Sequence, residues 1–108
     1  MTDERSWLAL VTFERRTQDS DILPAWAHGA CGWMIGIAPD LATACDRFAR
    51  DLRYCGMSLL EVEDAREVFD PEDVQEVDDH LAENWREIEP GKQSVWGTLH
   101  GYKGEGEV

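Results

Sequence analysis

Residues 31–63 read CGWMIGIAPDLATACDRFARDLRYCGMSLLEVE, and the fold turns on this stretch. Its first eight residues alternate as a strand does, with Cys31, Trp33, Ile35 and Ile37 on one face and Gly32, Met34, Gly36 and Ala38 on the other. The second face carries small side chains, which predicts that a helix lies close against the backbone there. Pro39 and Asp40 then open a helix, and Gly56 supplies its left-handed stop. Between them Leu41, Cys45, Phe48, Leu52 and Cys55 recur at helical spacing and form one apolar stripe. Residues 57–63 return to strand character, with Leu60 and Val62 facing inward and Val68 and Phe69 bringing the chain back to the core.

Working outward, residues 6–14 form a strand with Trp7, Ala9, Val11 and Phe13 on one side and Leu8, Leu10, Thr12 and Glu14 on the other. Apolar residues on both sides predict a central position in a sheet. Residues 15–21 are a polar break. Residues 22–29 form a long connection over a core edge, plugged by Trp26. After residue 69, Asp70 and Pro71 start a second helix, whose Val74, Val77, Leu81, Trp85 and Ile88 make an apolar stripe reaching to Pro90 and Gly91. Residues 93–103 close the chain as a strand, with Val95, Gly97, Leu99 and Gly101 opposed to Trp96, Thr98, His100 and Tyr102; residues 104–108 form a frayed tail.

The 108 residues suit a single α+β domain. The simplest arrangement that buries every stripe is a two-layer sandwich, with about four mixed strands and two amphipathic helices on one face. The start of the chain has no basic and apolar leader, and no stretch approaches the ~20 apolar residues that span a bilayer. An odd cysteine count of three predicts free thiols, and a cytoplasmic location follows as the expectation.

Charge is the feature that bears on function. Residues 61–89 hold thirteen of the 23 acidic residues and only Arg66 and Arg86 of the ten basic ones. They therefore carry eleven of the chain's thirteen net negative charges. Such a segment repels nucleic acid and anionic lipid and attracts basic surfaces. On one continuous helix of nineteen residues, the exposed Glu72, Asp73, Glu76, Asp78, Asp79, Glu83, Glu87 and Glu89 would form a rod of charge about 28 Å long, with Glu72, Asp73, Glu76, Asp79, Glu83 and Glu87 as the expected contact residues. Neighbouring carboxylates would lie about 5–6 Å apart, close to the phosphate spacing of a nucleic-acid strand. A rod of that kind competes for the basic groove of a nuclease or toxin. A solvated face that only keeps the protein soluble is the competing reading.

No catalytic motif, cofactor loop or calcium loop is present. Glu76, His80 and Glu83 have helical metal-ligand spacing but no second ligand helix, and His28 with Cys31 lacks a second pair, so no metal site is assigned. Cys45 and Cys55 belong to the helix stripe as inert thiols. Cys31 meets His100 only if their strands are neighbours.

The strand 29–36, the helix after it and the closing Trp96-Gly97-Thr98-Leu99-His100-Gly101-Tyr102 are similar in order and texture to small acidic bacterial immunity proteins, which neutralise a cognate toxin. That resemblance implies a non-enzymatic domain that masks a basic site on a protein partner. The alternative is a small enzyme or ligand-binding domain with a pocket near Trp26, His28 and Trp33. Partner identity and oligomeric state are not legible.

Overall fold

The computed structural model describes residues 4–16, 27–89 and 91–102. The expected polar break at residues 17–21, the Trp26 plug and the tail at 104–108 lie outside them. The elements run β1 (Arg5–Arg15), β2 (Gly29–Ala38), α1 (Leu41–Tyr54), β3 (Met57–Val68), α2 (Glu72–Gln75), α3 (Asp79–Arg86) and β4 (Ser94–Tyr102). The four strands form one sheet in the order β3-β1-β2-β4. This is the α+β architecture the apolar periodicities require.

Two finer expectations are corrected. All three strand pairings are antiparallel, so the sheet is not mixed. β2 and β3, joined by α1, do run in the same direction, but β1 is inserted between them and no parallel ladder forms. The helices also do not share a face. Ala44, Phe48 and Leu52 of α1 pack with Ala9, Val11, Phe13, Ala30 and Met34. Val74, Leu81 and Ala82 pack with Leu8, Ile35, Val68 and Val95, which point to the other side. The physical reason lies in the central strands: both sides of β1 and β2 are apolar, and two apolar faces need two covers.

α1 sits as the small residues of β2 demand. Asp40 caps it by accepting from the Thr43 amide at 2.7 Å, and that bond holds the Asp40 carboxyl below the ordinary carboxylate range. Gly56 ends the helix at φ 79°. A Cβ at Gly36 would lie 2.9 Å from Phe48 and 3.1 Å from Ala44, so α1 rests directly on the β2 backbone.

The second helix is where the structure departs most from expectation. Residues 72–89 do not form one rod: α2 stops at Gln75, and α3 restarts at Asp79 with Asp78 as an extended N-cap. Asp78 accepts from the Leu81 amide at 3.1 Å and from the Thr98 amide of β4 at 2.8 Å. Asn84, about a turn and a half further on, donates to the Trp96 carbonyl at 2.7 Å. α3 is thus pinned along the outer edge of β4, where it satisfies backbone groups that an edge strand would otherwise expose. A continuous helix would carry Asp78 away from that edge.

Irregularities in the strands re-aim several side chains. A bulge in β4 between the Gly32 and Met34 pairings turns Trp96 and Leu99 to the α1 side, while His100, opposite Cys31, points to the other. Trp96 and His100 therefore do not share a face, contrary to simple alternation. In β3, shifts of register leave Leu60 half exposed rather than inward and place Asp64 at φ 51°. Phe69 is 77% exposed and does not return to the core. Among the described residues, no helix is long and apolar enough to cross a membrane.

Candidate functional site

α2 and α3 cover only part of their side of the sheet. The covered part holds Leu8, Ile35 and Val95. Beyond it the same face continues with Leu10, Thr12 and Glu14 of β1, Cys31 and Trp33 of β2, Glu61 and Glu63 of β3, and His100 of β4; of these, Trp33 packs against the helix-covered cluster, and Leu10, Trp33 and His100 face the α2–α3 junction across a recess. The register aligns them in rows. Glu63, Leu10 and Trp33 form one row, and Glu61, Thr12, Cys31 and His100 form the next. Leu10, Thr12, Cys31 and Trp33 are half-buried; Glu61, Glu63 and His100 are exposed. The floor is aromatic and apolar, and exposed carboxylates border it.

Of the acids of α2 and α3, Asp79 borders this floor, and Glu87 lines a separate groove toward α1. Glu72, Asp73, Glu76, Asp79, Glu83 and Glu87 are all exposed. Asp73 is partly occupied, accepting from the Phe69 amide at 2.8 Å and the Asp70 amide at 3.2 Å. None of the six forms an ion pair among the described residues, where the pairs are Arg5–Glu67, His28–Glu14, Arg47–Glu4 and Arg50–Asp51. Arg86 donates to Gln75 rather than to a carboxylate. The break at Asp78 divides the six into a group of three before it and Asp79, Glu83 and Glu87 after it, the latter at i, i+4 and i+8 along α3. The acids therefore do not lie along one continuous helical rod. Eight residues of α3 span only about 12 Å.

β3 adds acids of its own. Glu61 and Glu63 are neighbours on the open face, and the charge of Glu61, with a hydrogen bond between the two, pushes the Glu63 carboxyl above its ordinary range. These two residues were not among the expected contact residues. Their signal in the sequence was the i, i+2 spacing on a strand, masked by the stronger helical pattern that follows.

Between the α2–α3 junction and the floor lies a recess of about 390 Å³, lined by Leu10, Trp33, Val77, Asp79, His80 and His100 among others. His28 does not line it. His28 instead pairs with Glu14 at 3.1 Å, and its ring lies 6.2 Å from that of Tyr102 at a tilt of 58°; the Tyr102 hydroxyl donates to the Phe13 carbonyl at 3.2 Å. Burial first, then the charges of Glu14 and Cys31, raises the Tyr102 hydroxyl above its ordinary range. The expected pocket of Trp26, His28 and Trp33 is therefore not assembled by its two described members, and Trp26 lies outside the described residues.

A second groove, about 560 Å³, runs between the last turns of α1 and α3. Arg50 and Lys92 line it together with Asp51, Glu87 and Glu89, so its charge is mixed.

Cys31 and His100 are direct register partners, which meets the geometric condition set by the sequence. No hydrogen bond joins them among the described residues. Burial, followed by a neighbouring aspartate, raises the thiols of Cys45 and Cys55 above their ordinary range; Cys55 packs against the core and Cys45 is half-buried outside it. Among the described residues no group of three or more His, Cys, Asp or Glu is placed to hold a metal ion, and the helix break separates Glu76 from His80 and Glu83.

In comparison with known proteins, no family model, no curated protein and no solved structure matches the chain.

Proposed function

We propose that this chain is a non-enzymatic, acidic protein-binding domain that masks a basic site on a partner, as an immunity or inhibitor protein masks a nuclease or toxin. The observation that carries this reading is the set of exposed carboxylates on α2, α3 and the turn between them, none with an ion-pair partner among the described residues. Keeping like charges together on adjacent helical turns costs roughly 0.2–0.5 kcal/mol per pair. A face that served only solubility would avoid that cost with interspersed lysines, and residues 61–89 contain none.

The reading predicts how the partner associates. An unscreened acidic face raises the encounter rate with a basic surface, and that gain falls steeply once the screening length drops below the ~8 Å of physiological salt. Leu10 and Trp33 then supply the desolvated centre that charges alone do not. The test is inhibition of a panel of basic nucleases, with isoelectric points above about 9, at 50 and 500 mM NaCl. Inhibition of at least one member, weakened by salt, supports the proposal; no inhibition and no binding at low salt overturns it.

A further inference from the structure

Resting on the docking reading above, we propose that the recess beside Trp33 receives a single arginine side chain of the partner, its guanidinium stacked on the Trp33 indole and paired with Asp79. The recess, at about 390 Å³, sits at the low end of the range for small-molecule sites, so it suits one side chain better than a folded element. Its wall carries two adjacent carboxylates, but they are not equivalent. Asp78 is committed, one oxygen to the Leu81 amide and the other to the Thr98 amide. Asp79 is exposed and makes no side-chain hydrogen bond or ion pair among the described residues. It is the acceptor left for an incoming cation.

The floor selects the kind of cation. Trp33 is half-buried, and tryptophan is the best aromatic partner for a cation over its face. A planar guanidinium can lie on the indole and still direct its N–H groups at a carboxylate, whereas an ammonium acts as a point charge and remains strongly hydrated. Among the described residues, no arginine or lysine lines the recess. Glu63, in the row of Trp33, and Glu61, in the next, add negative potential on the same face and do not line the recess.

The test is an NMR titration of the labelled protein at 25 mM NaCl with a blocked Arg-Gly-Arg tripeptide and, separately, a blocked Lys-Gly-Lys tripeptide. The expected result is a saturable shift of the Trp33 indole N–H peak, with the arginine peptide binding several-fold more tightly. Asp79→Asn should weaken the arginine peptide about tenfold, in line with loss of one charge-assisted contact. Glu83→Gln, the same charge change one turn away on α3, should weaken it less than twofold. Trp33→Leu should remove the preference for arginine, and because that variant disturbs a half-buried position, the Asp79→Asn comparison stands without it. Equal losses for D79N and E83Q, or equal affinity for the two peptides, overturn the arginine site while leaving a general acidic docking face intact. An absence of any shift over residues 72–89 with either peptide counts against both.

Discussion

Replacing Asp78 with alanine tests the feature that most distinguishes this structure from a simple reading of its periodicity. The carboxylate has two separate tasks. It caps α3 through the Leu81 amide at 3.1 Å and holds the β4 edge through the Thr98 amide at 2.8 Å. Loss of an N-cap costs about 1 kcal/mol. Loss of a hydrogen bond to a charged group costs about 1.5 kcal/mol, toward the low end here because water can reach the exposed Thr98. The sum is about 2.5 kcal/mol, and a domain of this length should lose about 10 °C in Tm. Asp78→Asn keeps one acceptor oxygen and should lose about half as much. The assays are thermal unfolding followed by circular dichroism and hydrogen exchange at the Leu81 and Thr98 amides. A D78A variant that melts within ~2 °C of the parent, with unchanged protection at Thr98, would refute the claim that this one side chain pins the second helix to the sheet.

Three further outcomes are expected. Gly97→Ala should destabilise the same junction, because a Cβ there would lie 2.3 Å from an Asp78 carboxylate oxygen and 2.8 Å from the Leu81 Cβ; a variant with parental Tm would show that α3 can move away without loss. Glu63 is raised by Glu61, so its charged form is disfavoured in the folded state and folding stability should fall as pH rises through the interval between its unfolded and folded values. Glu61→Gln should therefore stabilise the protein at neutral pH and lose that advantage in acid, as read by denaturant midpoints across pH; a pH-independent difference would contradict the coupling. Cys45 and Cys55 should alkylate slowly with iodoacetamide at pH 7 in the native protein and rapidly in denaturant, since burial raises both thiols; fast labelling in the native state, located by mass spectrometry, would show that they are accessible thiolates.

Much of this architecture was legible because local signals agreed with one another. Asp40, the stripe through Phe48 and Leu52, and Gly56 fix α1, and the small face of β2 announces the close approach of that helix at Gly36. Alternation in residues 5–15 reports a central strand apolar on both sides. That same alternation calls for covers on both faces, but a helical stripe's periodicity gives a buried face and not a side of the sheet, so the placement of α1 opposite α2 and α3 is not readable from it. The break at Asp78 was hidden because an aspartate inside an acidic helix and an aspartate starting a new one look alike until Thr98 is known to lie beside it. Bulges in β3 and β4 shift the parity of everything after them, which is why Leu60 and His100 point where simple alternation does not put them. The helix acids other than Asp78 were identifiable as exposed, but the floor of Leu10 and Trp33 depends on strand order, which no local pattern encodes.

The decisive comparison sets two five-site variants against the parent protein in binding to the nuclease retained from the panel. One variant converts Glu72, Glu76, Asp79, Glu83 and Glu87 to their amides, and the other converts Asp3, Asp19, Asp46, Glu105 and Glu107, so the two lose the same charge from different places. Affinity at 50 mM NaCl should collapse in the first and stay within a few-fold of the parent in the second. Equal weakening of both would mean that overall charge, and not a face built by α2 and α3, attracts the partner.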